Sequence, residues 1–354
     1  MNEELVRQAF RQQAIWCRNL GSPFTATLLD QLAARLDPAF PLARRILEWP
    51  GIPDARHDAL PLRLAGALHA LVRQGAAPAL AALYPPNSTP DPEKLGDQAL
   101  ETLRTHAETL SPWLDSPPQT NEVARSAALM PGLMVIAHET GLPLSLFELG
   151  ASAGLNLIPD RYAYRLGPLT AGAPNSPLLL APEWRGPPPP VTHPVVIGRR
   201  GVDLNPIDVT NPAHQARLLA YIWPDQPDRL ARATTAIALA AADPPELDRA
   251  DAADWTERHL TNTFALGRTP GFTRVLMHSI AFQYFLPETQ ARIHRHATAI
   301  GAHATQTSPF AWLHLEVDAS HDNKPTLQLT LWPGGTTRTL ATASPHGHWV
   351  EWLV

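Results

Sequence analysis

The stretch Ser145-Leu146-Phe147-Glu148-Leu149-Gly150-Ala151-Ser152-Ala153-Gly154-Leu155-Asn156-Leu157 constrains the fold more than any other part of the chain. A short apolar run gives way abruptly to small residues, then to a pattern that a helix can take up. This predicts a buried strand, a tight glycine turn and a helix N-terminus. Small residues let backbone approach a ligand closely, and the free N–H groups of a helix start favour a negative or hydrogen-bond-accepting group. Glu148 falls at the carboxyl end of the strand, the edge where open α/β sheets take ligands.

On these residues alone, three readings stay open. The pattern acid-x-Gly-x-Gly-x-Gly resembles the first motif of S-adenosylmethionine methyltransferases, with Ser152 standing where the middle glycine would be. The same letters, Gly150-Ala151-Ser152-Ala153-Gly154, satisfy the Gly-x-Ser-x-Gly nucleophile elbow of α/β-hydrolases. The third reading is a tight strand-to-helix turn with no ligand. Element order weighs against the elbow, which normally follows several strands, whereas nothing strand-like precedes Ser145.

Residues 1–140 read as helices throughout and 141–354 as the sheet-forming part, so a helical N-terminal cap or lid is expected ahead of an α/β domain. Gly21 ends the first helix, and Ser22-Pro23 reads as a cap followed by Pro at the first helical position. Before the glycine strand, Pro117-Pro118-Gln119-Thr120-Asn121-Glu122-Val123-Ala124-Arg125 puts a polar cluster ahead of an apolar helix, Ala127 to His138. Capping explains it, as does a lid in which Asn121, Glu122 and Arg125 face a pocket. Residues 168–194 are Pro-rich and without period, which predicts a long insertion loop. Order returns with Val195 to Ile197 and Gly201 to Leu204, then a short strand end near Ala250 to Trp255, then the apolar run Phe272 to Ser279. Four strand candidates close the chain with no helix between them: Phe310 to Val317, Thr326 to Trp332, Thr337 to Thr342 and Trp349 to Leu353. The expected fold is therefore α/β: a doubly wound sheet with antiparallel C-terminal strands and an all-helical cap.

Composition removes some functions. Only two of the 28 basic residues are lysines (Lys94 and Lys324), and no basic block signals a nucleic-acid surface. No apolar run approaches about 18 residues, so no membrane span is expected. The lone Cys17 rules out an internal disulfide and fits a soluble, cytoplasmic protein. No metal-ligand spacing stands out. His294 and His296, two apart on a helix, face different ways.

Around the turn, an acid at the end of the second strand should bond a ribose. Asp203, in Gly201-Val202-Asp203-Leu204-Asn205-Pro206, is the candidate if the Pro-rich insertion absorbs the extra length. Asp254 with Trp255 would hold and stack an adenine, or else be a loop acid and a core Trp. His278 is a candidate general base, since imidazole titrates near neutrality, or a satisfied core histidine. Ser279, Gln283 and Tyr284 follow it.

The strings Glu-Leu-Gly-Ala-Ser-Ala-Gly-Leu-Asn-Leu (148–157), Asp160-Arg161-Tyr162, Ile222-Trp223-Pro224, His278-Ser279 and Trp332-Pro333-Gly334-Gly335 identify a wider likeness. Over nearly its whole length the chain resembles a bacterial family known as domain of unknown function 2332. Its pattern is similar to Rossmann-like methyltransferases. That likeness implies an S-adenosylmethionine-dependent methyltransferase acting on a small-molecule substrate; the alternatives are a serine hydrolase using Ser152 and a non-catalytic ligand-binding protein on a degenerate methyltransferase fold. Glu148, Gly150, Ser152, Gly154, Asn156, Asp203 and Asp254 would then hold the cofactor. Asn121, Glu122, Arg125, Asp160, Tyr162, Ser279 and Gln283 would hold the acceptor, and His278 and Tyr284 would be catalytic.

Overall fold

A computed structural model describes residues 2–87, 90–260 and 271–354. The chain divides into two compact units, Met1–Thr120 with Asn211–Ala231, and Asn121–Thr210 with Arg232–Val354.

The first unit is helical: α1 (Asn2–Asn19), α2 (Pro23–Arg35), α3 (Pro41–Leu47), α4 (Leu60–Arg73), α5 (Pro78–Ala81), α6 (Pro92–Thr105) and α7 (Ala107–Leu110). Val6, Phe10, Ala14 and Cys17 of α1 recur at helical spacing and are buried with Leu28, Leu29 and Leu32 of α2 and Leu64, Leu68 and Leu71 of α4. Ser22 does not cap α2 with its side chain. Its hydroxyl donates instead to Asp225 at 2.5 Å, and the other Asp225 oxygen accepts the Phe24 N–H at 2.8 Å. A distant acid thus supplies the cap, an interaction of about 1 kcal/mol.

In the second unit, α8 (Ser126–Thr140) leads into the central strand β1 (Leu144–Leu149). Then come β2 (Ala163–Leu166), β3 (Leu169–Gly172), β4 (Leu179–Leu180), β5 (Glu183–Arg185) and β6 (Val196–Asp203). The chain then returns to the first unit for α9 (Pro212–Ala220) and the start of α10 (Pro227–Ala242), and the second unit continues with β7 (Glu246–Arg249), α11 (Ala252–His259), β8 (Thr273–Ser279) and α12 (Pro287–Ala302). The chain ends in β9 (Phe310–Asp318), β10 (Lys324–Trp332), β11 (Thr336–Ala343) and β12 (Trp349–Trp352).

Nine strands form one sheet in the order β5-β12-β11-β10-β9-β8-β1-β6-β7. From β7 to β9 every pairing is parallel, and β9 to β12 pair antiparallel. Side chains alternate between the two faces, as a pleated strand requires. Leu144, Leu146, Val275, Met277, Leu313 and Leu315 join the core that contains α8 residues. Leu149, Leu276, Phe310 and Trp312 join the core that contains Trp255 of α11 and Ile293 and Ala297 of α12. A parallel sheet covered on both faces explains why its inner strands read as continuous apolar runs. Gly132 is needed for close approach of α8, because a Cβ there would come within 2.7 Å of Leu313.

Two expectations fail here. The glycine turn does not open a helix: Gly154 leads into a 3-10 turn, Leu155–Leu157, and a second one, Pro159–Arg161, follows. Pro159 disfavours the helical region at Ile158, which sits at φ −114°, ψ 40°. Nor are residues 168–194 a structureless loop. They contain β3, β4 and β5; β3 and β4 flank β2 in a small sheet, and β5 joins the edge of the large sheet beside β12.

Candidate functional site at the carboxyl edge of the sheet

From β1 the chain passes to β6 and β7 on one side, then returns to β8 and β9 on the other. The carboxyl ends of β1 and β8 therefore flank the point where strand order reverses, the place where open α/β sheets take ligands. Beside it lies a cleft of about 210 Å³ lined by Gly150, Asp203, Leu204, Asp251, Tyr284 and Phe285, among others.

The turn above β1 is built by backbone bonds. Gly150, Ser152 and Gly154 all have positive φ (65°, 52° and 70°). The Ser152 N–H donates to Asp203 Oδ2 at 2.9 Å, and the Asn205 N–H to Asp203 Oδ1 at 2.8 Å. Asp203 thus ties the turn to the end of the neighbouring strand. On the far side, the Leu155 N–H donates to Asn121 Oδ1 at 2.8 Å and the Tyr162 hydroxyl to the Leu155 carbonyl at 2.6 Å. The two glycines differ in role. A Cβ on Gly150, which lines the cleft, would sit 2.6 Å from Ala281 Cβ, whereas one on Gly154 would strike Pro245 at 2.5 Å.

Among the described residues, three buried polar atoms on this turn have no hydrogen-bond partner: Glu148 Oε2, Ser152 Oγ and Asn156 Nδ2. Buried polar groups are seldom left so. The Glu148 carboxyl is held well above the usual range, first by burial and then by the nearby Asp203 charge, with Arg125 opposing. Asn156 uses its oxygen to accept from Ser126 Oγ at 2.7 Å.

The other sequence candidates fall in several places. Tyr284 lines the cleft and is exposed at its mouth, with Gln283 exposed beside it on the 3-10 turn Phe282–Tyr284. Arg125 joins two parts of the edge, donating to the Ser279 carbonyl at 3.0 Å and the Pro345 carbonyl at 3.1 Å. Glu122 is buried and accepts the Ala124 N–H at 3.1 Å. Asp160 is engaged by both guanidinium nitrogens of Arg199, at 2.7 and 2.9 Å. Asp254 pairs with Arg292 at 2.6 Å and is not among the cleft residues. The acid that lines the cleft is Asp251, three residues earlier, which caps α11 by accepting the Ala253 and Asp254 N–H groups. The strand ends at Arg249, earlier than the sequence suggests, and the capping position of Asp251 was the signal for it.

His278 is enclosed in the sheet. Its Nδ1 lies 2.7 Å from Glu316 Oε1, and its Nε2 accepts the Trp312 indole N–H at 3.0 Å. Indole can only donate, so Nε2 is the acceptor and Nδ1 carries the proton. With both nitrogens occupied, this ring has no lone pair for a substrate. Among the described residues, no imidazole is hydrogen-bonded to Ser152 Oγ. Among the described residues no group of three or more His, Cys, Asp or Glu could hold a metal ion, and no helix is long and apolar enough to cross a membrane.

Fold and site together define a mixed α/β protein with a large, mostly parallel sheet and a ligand-sized cleft at its carboxyl edge. The chain belongs to the family described as "Uncharacterized protein conserved in bacteria (DUF2332)", whose pattern matches residues 7–352. No curated protein and no solved structure matches it.

Proposed function

We propose that the sheet-bearing unit is an S-adenosylmethionine-dependent methyltransferase acting on a small molecule. One observation carries the reading: three neighbouring parallel strands each have an acid at their carboxyl end or within two residues of it (Glu148, Asp203 and Asp251), around a glycine turn where the strand order reverses. The order β7-β6-β1-β8-β9 supports the reading, because a Rossmann-like sheet would run the same way.

The residues present suit the nucleoside end of that cofactor. The Asp203 oxygens each hold a backbone N–H at the end of β6, the place where such folds set a carboxylate against ribose hydroxyls. Asp251 would accept from an exocyclic amino group, and Phe285 with Leu204 and Ala250 offers a base an apolar wall. A cleft of about 210 Å³ is smaller than the ~300–1,000 Å³ of sites for whole drug-sized ligands, and matches a nucleoside rather than the entire cofactor. Glu148, Ser152 and Asn156 would meet its amino-acid end. Bound, the cofactor supplies an electrophilic methyl group. The protein's share is orientation, with Tyr284 and Gln283 on the acceptor side and His278 holding Glu316 in place.

Titration calorimetry with S-adenosylmethionine and S-adenosylhomocysteine tests this. Saturable heat and a raised Tm are expected, with affinity about tenfold weaker in Asp251→Asn, which keeps the helix cap and removes the charge. No heat and no thermal shift at millimolar ligand overturns the proposal, and heat only with nicotinamide nucleotides reassigns the cleft. The strained φ of Ser152 within Gly-x-Ser-x-Gly favours one second reading, a serine hydrolase. Fluorophosphonate labelling that disappears in Ser152→Ala would establish it.

A further inference from the structure

A second cavity, about 200 Å³, is lined by Ala124, Ala127, Leu180, Arg232, Gly347 and His348, among others. The strand β10 runs against β9, and β11 against β10, so β11 points the same way as β1. The turn after β11, which carries Gly347 and His348, therefore lies at the same edge as the glycine turn. Arg125 spans the two regions, with one bond to the end of β8 and one to Pro345.

Arg232 is the residue without an explanation. Among the described residues its guanidinium has neither an ion pair nor a hydrogen bond, and its Nε is buried. A partly buried guanidinium with no counter-charge is costly. No acid lines the cavity. Acids next to its walls are turned elsewhere: Glu122 accepts the Ala124 N–H, and Glu183 pairs with Arg185 at 2.9 Å. The wall is also closely built, since a Cβ on Gly347 would lie 2.6 Å from the Ala124 backbone.

We infer that this cavity binds a small oxyanion, a carboxylate or a phosphate monoester, gripped by the Arg232 fork with His348 at the mouth. Calling that anion part of the methyl acceptor rests on the proposed function above, and makes the acceptor an acidic metabolite. The binding itself does not depend on it. Inorganic phosphate and acetate are titrated separately into the intact, cofactor-free protein, read by calorimetry or by NMR shifts of the Gly347 and His348 amides. Saturable binding of one of them is expected, at least tenfold weaker in Arg232→Met and partly retained in Arg232→Lys. His348→Glu, at an exposed position, puts a like charge at the mouth and should weaken binding to a similar degree without touching the core. Absence of saturation with both anions, or equal affinity in the wild type, Arg232→Met and His348→Glu, overturns the site. Because no cofactor is present, failure here is separable from failure of the methyltransferase reading.

Discussion

At the scale of single residues, Glu148 shows what the site costs. A carboxyl fully enclosed beside Asp203, with one oxygen unpartnered, holds its proton well above the usual range. The consequence for stability has a definite sign. The unfolded chain gives up this proton near pH 4.5, whereas the folded protein keeps it to higher pH. Stability is therefore lost as pH rises above the unfolded value, with a slope of about 1.4 kcal/mol per pH unit for one proton. Glu148→Gln keeps the shape and removes the titration. Its Tm should exceed the wild type's at pH 8 by more than at pH 5. Equal differences at both pH values would show that Glu148 ionises normally in the fold.

At the scale of elements, the segment after β8 is held by one carboxylate. Glu316 Oε1 accepts from His278 Nδ1, the Ala281 N–H at 3.0 Å and the Phe282 N–H at 3.1 Å. Burial alone would raise its pKa, but these donors outweigh it and hold the carboxyl below the usual range. The clamp keeps Ile280 at φ 46°, a region that a β-branched residue rarely enters, and so sets the course of the chain toward Tyr284 and Phe285 at the cleft. Glu316→Ala leaves three donors without an acceptor and should cost about 3 kcal/mol or more in urea unfolding, with Glu316→Gln costing less. A loss under about 1 kcal/mol would mean that the clamp does not hold the segment. Elements of this kind differ in how plainly the sequence announces them. The strands β1, β8 and β9 to β12 stand out because each is an apolar or alternating run. β5 does not, because three residues among prolines become a strand only by pairing with β12, far along the chain. The false helix after Gly154 came from weighing apolar spacing over Pro159. That Gly150, Asp203 and Tyr284 come near one edge was legible, the first from the glycine turn and the others from their places after strand-like runs, and all three line the cleft. Arg232 was not, since nothing local distinguishes an arginine whose partner is missing.

At the scale of the whole molecule, the helical unit takes back residues Asn211–Ala231 after the sheet has begun, so sequence order alone does not divide the chain. A ligand at the reversal point of the sheet should leave a correspondingly discontinuous footprint. Amide hydrogen exchange with and without saturating S-adenosylmethionine reads it directly. Ligand at a hundredfold excess over its Kd stabilises the bound form by about 2.7 kcal/mol, enough to slow exchange about a hundredfold where opening requires release. The gain is expected at the amides of Ser152 and Asn205, which Asp203 accepts, and across 250–252 and 281–286. These segments are remote in sequence and meet only because β6, β7 and β8 end at one edge beside β1. Protection confined to one segment would mean a surface contact. Protection centred on the antiparallel strands β10 to β12 would place the ligand away from the glycine turn, and the acids gathered there would then need another explanation.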